Sequence, residues 1–300
     1  MKEEKSLPNF FIIGAPKCGT TSLQYYLSQH SDIFFAPKEM HFFGKDLKMK
    51  NHFNDFTKYQ SYFANSTKKM KGEASVWYLY SQSAPQEILD TIGKTKIIIC
   101  LRNPVDMIYS LHGETIFNGY ETERDFEKAL TLEYGRKGGL NIPSSTQFNQ
   151  CLFYKENGLY STHIQRWQDA FGKENIHIVL LDDLQHNTMD ITNKTLSFLS
   201  LPPISNLNIQ TQNEAKEFGS LALHQKFKSA KSWEKNLIRI LLPSKKWREK
   251  ILNKIYKSNI QKSTRKEMSL ELRNKLTSFY LEDIKATEKI IGINLNHWMK

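Results

Sequence analysis

The sequence predicts an α/β chain. Its layers are α/β/α around a central, mostly parallel sheet of about five strands, with a helical region toward the C-terminus. Three observations carry this expectation. Phe10–Ile13 (FFII) and Ile97–Leu101 (IIICL) are apolar runs without polar alternation, as in strands covered on both faces. Each run leads through a short loop into a helix, which is how parallel sheets are wound. Three hundred residues, 39% of them hydrophobic, suffice for one large core, so residues 1–300 are expected to form a single domain.

The first unit is FFIIGAPKCGTTSLQYYL, Phe10 to Leu27. Gly14 and Gly19 let the main chain curl, Pro16 stiffens the curl, and a helix opens at Thr20. The first backbone N–H groups of that helix point unpaired into the curl, where the helix dipole adds positive potential. Lys17 adds a full charge, and Thr20, Thr21 and Ser22 add hydroxyl donors. The stretch is an anion cradle of phosphate or sulfate size. Gly14 and Gly19 have the spacing of the nucleotide-triphosphate loop GxxxxGK[ST], but Thr20 stands where its lysine belongs. The lysine sits inside the loop, at Lys17, which argues against an ATPase or GTPase.

Next, Ser31–Asp46 starts extended and carries the cluster Lys38, Glu39, His41, Phe42, Phe43. A helix is expected near Phe56–Phe63, a strand running into a loop over Met70–Tyr80, and a short helix over Pro85–Thr91. The second strong unit is KIIICLRNPVDMIYSLH, Lys96 to His112. Asn103 caps its helix, Pro104 takes the first helical position, and Asp106 is a capping-box partner. Arg102 then stands at the carboxyl end of a strand, the edge at which open parallel sheets bind ligands. Ser110, about two turns on, faces the same crevice. An arginine with a nearby hydroxyl makes a phosphate clamp.

Gly113–Gln150 shows no strand, has a helix over Asp125–Tyr134, and is placed to wall an acceptor cleft. Helix Leu159–Phe171, strand Ile176–Leu181 and helix Asp190–Leu199 follow. Ser232–Ser258 alternates Trp, Leu and Ile with Lys and Arg, and Pro243 splits it into two amphipathic helices. A long helix spans Ser269–Ile291, and Trp298 seals the end.

The net charge is +11, and Lys226–Lys275 alone holds sixteen Lys and Arg against four Glu. The basic segment, 224–265, reads as an appendage of the domain. Two readings stay open for its helices at 232–258: packing on the domain, or peripheral contact with an anionic membrane. The aromatic interleaving is too irregular for nucleic acid. The N-terminus has no signal-like apolar region and no stretch has the roughly 20 apolar residues of a span, so a cytoplasmic setting is expected. Cys18, Cys100 and Cys151 are too few and too widely spaced for a disulfide framework or a zinc site, and no metal is expected. A lowered thiol pKa is open to Cys18 inside the anion loop, beside the reading of a small filler.

The form P-K-x-G-T-T-x-L resembles the 5′-phosphosulfate loop of sulfotransferases that use PAPS (3′-phosphoadenosine 5′-phosphosulfate). The R-x-P…S pattern of Arg102 and Ser110 resembles their 3′-phosphate motif. The resemblance covers Phe10 to about Ser220 and implies a P-loop nucleotide-hydrolase-like fold. It assigns PAPS contacts to Lys17, Cys18, Gly19, Thr20, Thr21, Ser22, Arg102 and Ser110, with PAP as product. NEAKEFGS resembles the loop that closes over the co-substrate, with Lys216 and Gly219 as matches. KEMHFF is similar to the E-x-H-F-F signature of the glycan-modifying branch, typified by heparan sulfate sulfotransferases. This implies Glu39 as general base, His41 as its catalytic neighbour, and a carbohydrate hydroxyl as acceptor. Lys17 would stabilise the leaving phosphate. Glu73 and His112 are further candidate bases. That branch often has E-K-[ST]-P at the next strand. Here Ala74 and Val76 depart from it, so a lysine contact is missing or supplied elsewhere. A lipid or small-metabolite sulfotransferase and a kinase with a degenerate loop are the alternative readings.

Overall fold

A computed structural model of the chain describes residues 7–50, 52–209, 216–218, 260–262 and 267–300. The expectations for Gly219 and for the helices at 232–258 fall outside those residues.

Five strands form the sheet: β1 (Phe10–Gly14), β2 (Ile33–Phe35), β3 (Met70–Ala74), β4 (Lys96–Leu101) and β5 (Ile176–Leu180). Their spatial order is β2-β3-β1-β4-β5. Every neighbouring pair is parallel. The apolar runs behave as their patterning predicts: β1 is buried along its whole length, and Ile97–Leu101 of β4 are fully buried. All five carboxyl ends therefore share one edge, where the loops after β1, β3 and β4 meet.

Helices cover both faces. The first half of the chain supplies α1 (Thr20–Leu27), α2 (Phe56–Ala64), α3 (Ala84–Thr91), α4 (Pro104–Phe117) and α5 (Phe126–Lys137). The second half supplies α6 (Tyr154–Asn157), α7 (Ser161–Phe171), α8 (Leu181–His186), α9 (Thr188–Phe198) and α10 (Leu270–Ile291). The bounds match the sequence reading to within a few residues, with two refinements. The stretch after β3 is a 3-10 helix, Val76–Tyr80, and β5 gives way to α8 at Leu181. Lys216–Phe218 pairs antiparallel with Ile260–Lys262, so Lys216 belongs to a two-stranded ribbon.

The C-terminal helix is a clamp. Asp283 of α10 accepts the backbone N–H of Tyr160 at 2.8 Å and the hydroxyl of Ser161 at 2.5 Å, capping α7. Arg273 donates to Asp106 Oδ1 at 2.5 Å, so the residue read as a capping-box partner ties α4 to α10. Asn103 caps α4 through Val105 N–H at 3.0 Å and donates its amide to the Trp298 carbonyl at 3.2 Å. Trp298 is buried beside Tyr160, which closes the end of the chain under the β4–α4 junction.

Candidate functional site

The site is built on the turn between β1 and α1. Gly14 lies so close to the next crossover that a Cβ there would stand 2.7 Å from the Val76 carbonyl oxygen. Gly19 caps α1 at φ 82° with no side-chain cap. The unpaired N–H groups at the start of α1 therefore open into a cavity of about 400 Å³. Pro16, Lys17, Gly19, Thr20 and Thr21 form its floor.

Lys38, Glu39 and His41 line the same cavity. Residues 36–43 are strapped along the end of β3. Ala36 N–H donates to the Gly72 carbonyl at 3.0 Å and Glu39 N–H to the Ala74 carbonyl at 2.8 Å. His41 N–H donates to Ser75 Oγ at 3.1 Å, and Phe43 N–H to the Tyr78 hydroxyl at 3.1 Å. Glu39 Oε2 accepts from Val76 N–H at 3.2 Å and stands 3.0 Å from His41 Nε2. The carboxylate is thereby fixed while its side chain stays about one-third exposed to the cavity (35%). Lys17 lies across the floor, 3.0 Å from Glu114 of α4.

Backbone strain concentrates here. Six non-glycine residues among the described ones have positive φ, and three are Lys17 (62°), Glu39 (59°) and His41 (49°). Such conformations cost about 1–3 kcal/mol each and persist where the surroundings over-determine them, typically at functional sites.

The structure brings together Lys17, Gly19, Thr20, Thr21, Glu39 and His41 around one space. Cys18, Ser22, Arg102, Ser110 and Lys216 are outside that lining. Cys18 is fully buried with its thiol toward the Pro16 carbonyl and Tyr160. Burial pushes that thiol up to about 12, against the fields of Arg102 and Lys17, so it is a neutral filler and the lowered pKa is corrected. Ser22 is half-buried in the first turn of α1. Arg102 follows β4 directly, with its carbonyl accepting from the Tyr160 hydroxyl at 3.1 Å. Ser110 lies on α4 one turn before Glu114, half-buried.

Two candidate bases are excluded from the space. Glu73 is fully buried and accepts from the hydroxyls of Tyr59 (2.5 Å), Ser75 (2.8 Å) and Tyr78 (2.6 Å). Burial raises its pKa despite those bonds. His112 is buried with Nε2 2.7 Å from the Glu123 carbonyl, a structural contact.

The far wall comes largely from 113–150, as its position suggested. Glu114, Asn118, Tyr120, Gln147 and Phe148 line the cavity, joined by Met49 and Trp77. Trp77 and Phe148 meet edge to face at 4.8 Å. A buried fork holds this wall: Arg136 donates to Glu121 at 2.7 and 2.9 Å, and the Tyr154 hydroxyl adds a third bond at 3.0 Å. Sequence reasoning gave Lys38 no role and named no wall residue. Adjacency of Lys38 to Glu39 was the available signal for the first. For the wall only the placement of 113–150 was legible; its individual residues were not, because they are far apart in the chain.

Among the described residues no group of His, Cys, Asp and Glu is arranged to hold a metal, and no helix is long and apolar enough to cross a membrane.

Comparison with known proteins agrees with the geometry. A family model of the sulfotransferase domain matches residues 7–288. The human bifunctional heparan sulfate N-deacetylase/N-sulfotransferase 2 is 28% identical over 215 residues, 67% of this chain and 23% of that protein. The Xenopus laevis bifunctional heparan sulfate N-deacetylase/N-sulfotransferase 1 is 30% identical over 207 residues, 63% of this chain and 22% of that protein. The chain thus spans under a quarter of the length of these curated relatives. Among solved structures, a sulfotransferase from Alicyclobacillus acidocaldarius superposes with a TM-score of 0.70 at 26% identity, over 98% of this chain and 99% of that one. With the loop–helix cradle, the parallel sheet and a family match over nearly its whole length, this chain belongs to the sulfotransferase domain family.

Proposed function

We propose that the chain transfers a sulfuryl group from PAPS to a carbohydrate hydroxyl, with Glu39 as general base. The observation that carries this is the single cavity in which the α1 N-terminus and Lys17 face Glu39. The donor co-substrate supplies an activated sulfate on its 5′-phosphate. The turn 14–19, Lys17, Thr20 and Thr21 suit its phosphosulfate end, by charge and by unpaired N–H groups. Arg102 and Ser110, at the next strand end, are the proposed contacts for its 3′-phosphate. Lys216 is the described member of the loop proposed to close over it.

As the acceptor oxygen attacks sulfur, its proton must leave. Glu39 is fixed by Val76 N–H and His41, so it meets the proton without reorganising. Negative charge then grows on the departing phosphate oxygen, where Lys17 and the helix N-terminus are preorganised to receive it. Aromatic faces (Trp77, Phe148, Tyr120) and side-chain amides (Asn118, Gln147) suit the alternating apolar and hydroxylated surfaces of a sugar ring. The relatives, named as heparan sulfate N-sulfotransferases, also point toward a glycan.

Calorimetry with PAP, followed by transfer of labelled sulfate from PAPS to a panel of glycans and lipids, tests the reading. PAP binding and a labelled oligosaccharide are expected. Magnesium-dependent ATP binding without PAP binding would overturn it.

A further inference from the structure

We infer that Lys38 is a catalytic cation of the transfer step, holding the sulfuryl group between the loop that delivers it and the oxygen that Glu39 activates. The inference rests on the proposed function and adds a residue to it.

Lys38 Nζ donates to Thr20 Oγ1 at 3.2 Å and makes a short bond to Thr21 Oγ1. It stands 3.7 Å from Glu39 Oε1. The ammonium thus sits between the mouth of α1 and the base, on the line that a group passing from one to the other must cross. An ammonium carries three N–H donors. Two go to the threonine hydroxyls, and Glu39 lies beyond hydrogen-bond length, so the third is available to an anionic oxygen. Because both hydroxyls accept from Lys38, each keeps its own hydrogen to donate to another acceptor.

Its presentation is rigid. The next residue's N–H is bonded to the Ala74 carbonyl, and the Lys38 side chain is about three-quarters buried (25% exposed). Lys17, the other cation of the floor, is drawn to Glu114 on the opposite side. The two ammonium groups therefore divide the work: Lys17 faces the leaving end and Lys38 the transferring group. Ala74, where a lysine was missed from the sequence pattern, is fully buried, and the strapped neighbour segment supplies the charge instead.

In the step so assigned, an S–O bond forms to the acceptor oxygen and the S–O bond to the 5′-phosphate breaks. The bonding pair departs on the phosphate oxygen of PAP, and the acceptor proton ends on Glu39. Lys38 keeps its proton and contributes charge alone.

The test uses Lys38→Met, Lys38→Ala and Lys38→Arg in the full chain. Binding of PAP and of PAPS is measured by calorimetry without acceptor. Turnover is measured as labelled sulfate leaving PAPS, with water or a parent-reactive oligosaccharide as acceptor. Lys38→Met is expected to keep PAP affinity within about threefold, to lose affinity for PAPS selectively, and to lose about 10²–10³-fold in turnover at saturation. Lys38→Arg should retain part of that turnover, and ethylammonium should restore part of it to Lys38→Ala. Equal loss of PAP and PAPS affinity with saturating turnover unchanged would make Lys38 a prop for the two threonines and overturn the inference. So would turnover within threefold of the parent. If Lys38→Met fails to fold, absence of amine rescue in a folded Lys38→Ala decides against it. A parent that binds no PAP would instead sink the proposed function, which separates the two failures.

Discussion

At the scale of single residues, the site depends on a few side chains held where their backbones are strained. Glu39 is the clearest case: left-handed φ, a bonded main-chain N–H, and a carboxylate gripped from two sides. Glu39→Gln keeps the shape and removes the proton acceptor. Calorimetry should find PAP binding nearly unchanged while labelled-sulfate transfer drops by about 10²–10⁴. Retained turnover would remove Glu39 from the base role. Arg102 lies outside the lining of the cavity, so its proposed contact is with the distant 3′-phosphate. Arg102→Ala should then weaken PAP by roughly tenfold or more, the scale of one charge-assisted contact. An unchanged dissociation constant would reject that assignment. Glu39 entered through a motif, because a carboxylate in an extended loop has no distinguishing pattern of its own. Its grip by Val76 and His41 is tertiary and visible only in the fold.

At the scale of elements, the wall segment 118–148 is held by a charge pair out of reach of water. Arg136 and Glu121 are each almost fully buried. Burial pushes the Glu121 carboxyl up, but the Arg136 fork and the backbone N–H of Glu123 overcome it and hold the pKa below the usual range. Removing one partner strands a buried charge, which costs about 3–5 kcal/mol. Arg136→Met is expected to lose stability on that scale in urea unfolding, and to raise KM for the acceptor more than for PAPS. A shift under about 1 kcal/mol would show that water reaches the pair. Nothing in GRKGGLNIPSS or its neighbours announces this pair, since the two residues are fifteen apart in a segment without hydrophobic period. The strand–loop–helix units were legible for the opposite reason. Their patterning, breakers and caps are local.

At the scale of the whole molecule, one buried and one half-buried histidine, His163 and His177, set an acid limit. Burial lowers His163 and His177 to about 4 each, with Arg166 adding to the shift at His163. The folded chain keeps both neutral, whereas the unfolded chain takes up protons below about 6.5. Their contribution is therefore complete above pH 6.5 and is lost as pH falls toward 4. Melting temperature should decline across that window, and His177→Phe should make the decline shallower. A flat profile from pH 7 to 4 would contradict the burial. His177 rests against Phe198, with Nε2 3.1 Å from Thr195 Oγ1, so the phenylalanine also tests whether packing can replace that bond.

The sequence by itself determined the sheet, the order of its units and the glycine turn that opens α1. Hydrophobic period, glycine spacing and the missing lysine after Gly19 are properties of neighbours in the chain. Only the tertiary structure decided which charges meet: Lys38 against Thr20 and Thr21, Lys17 against Glu114, Arg136 inside the wall. Those pairings depend on how strands β1 and β3 lie side by side and on how 113–150 folds over them. Coulombic and hydrogen-bond energies fall off within a few ångströms, and that proximity comes from packing.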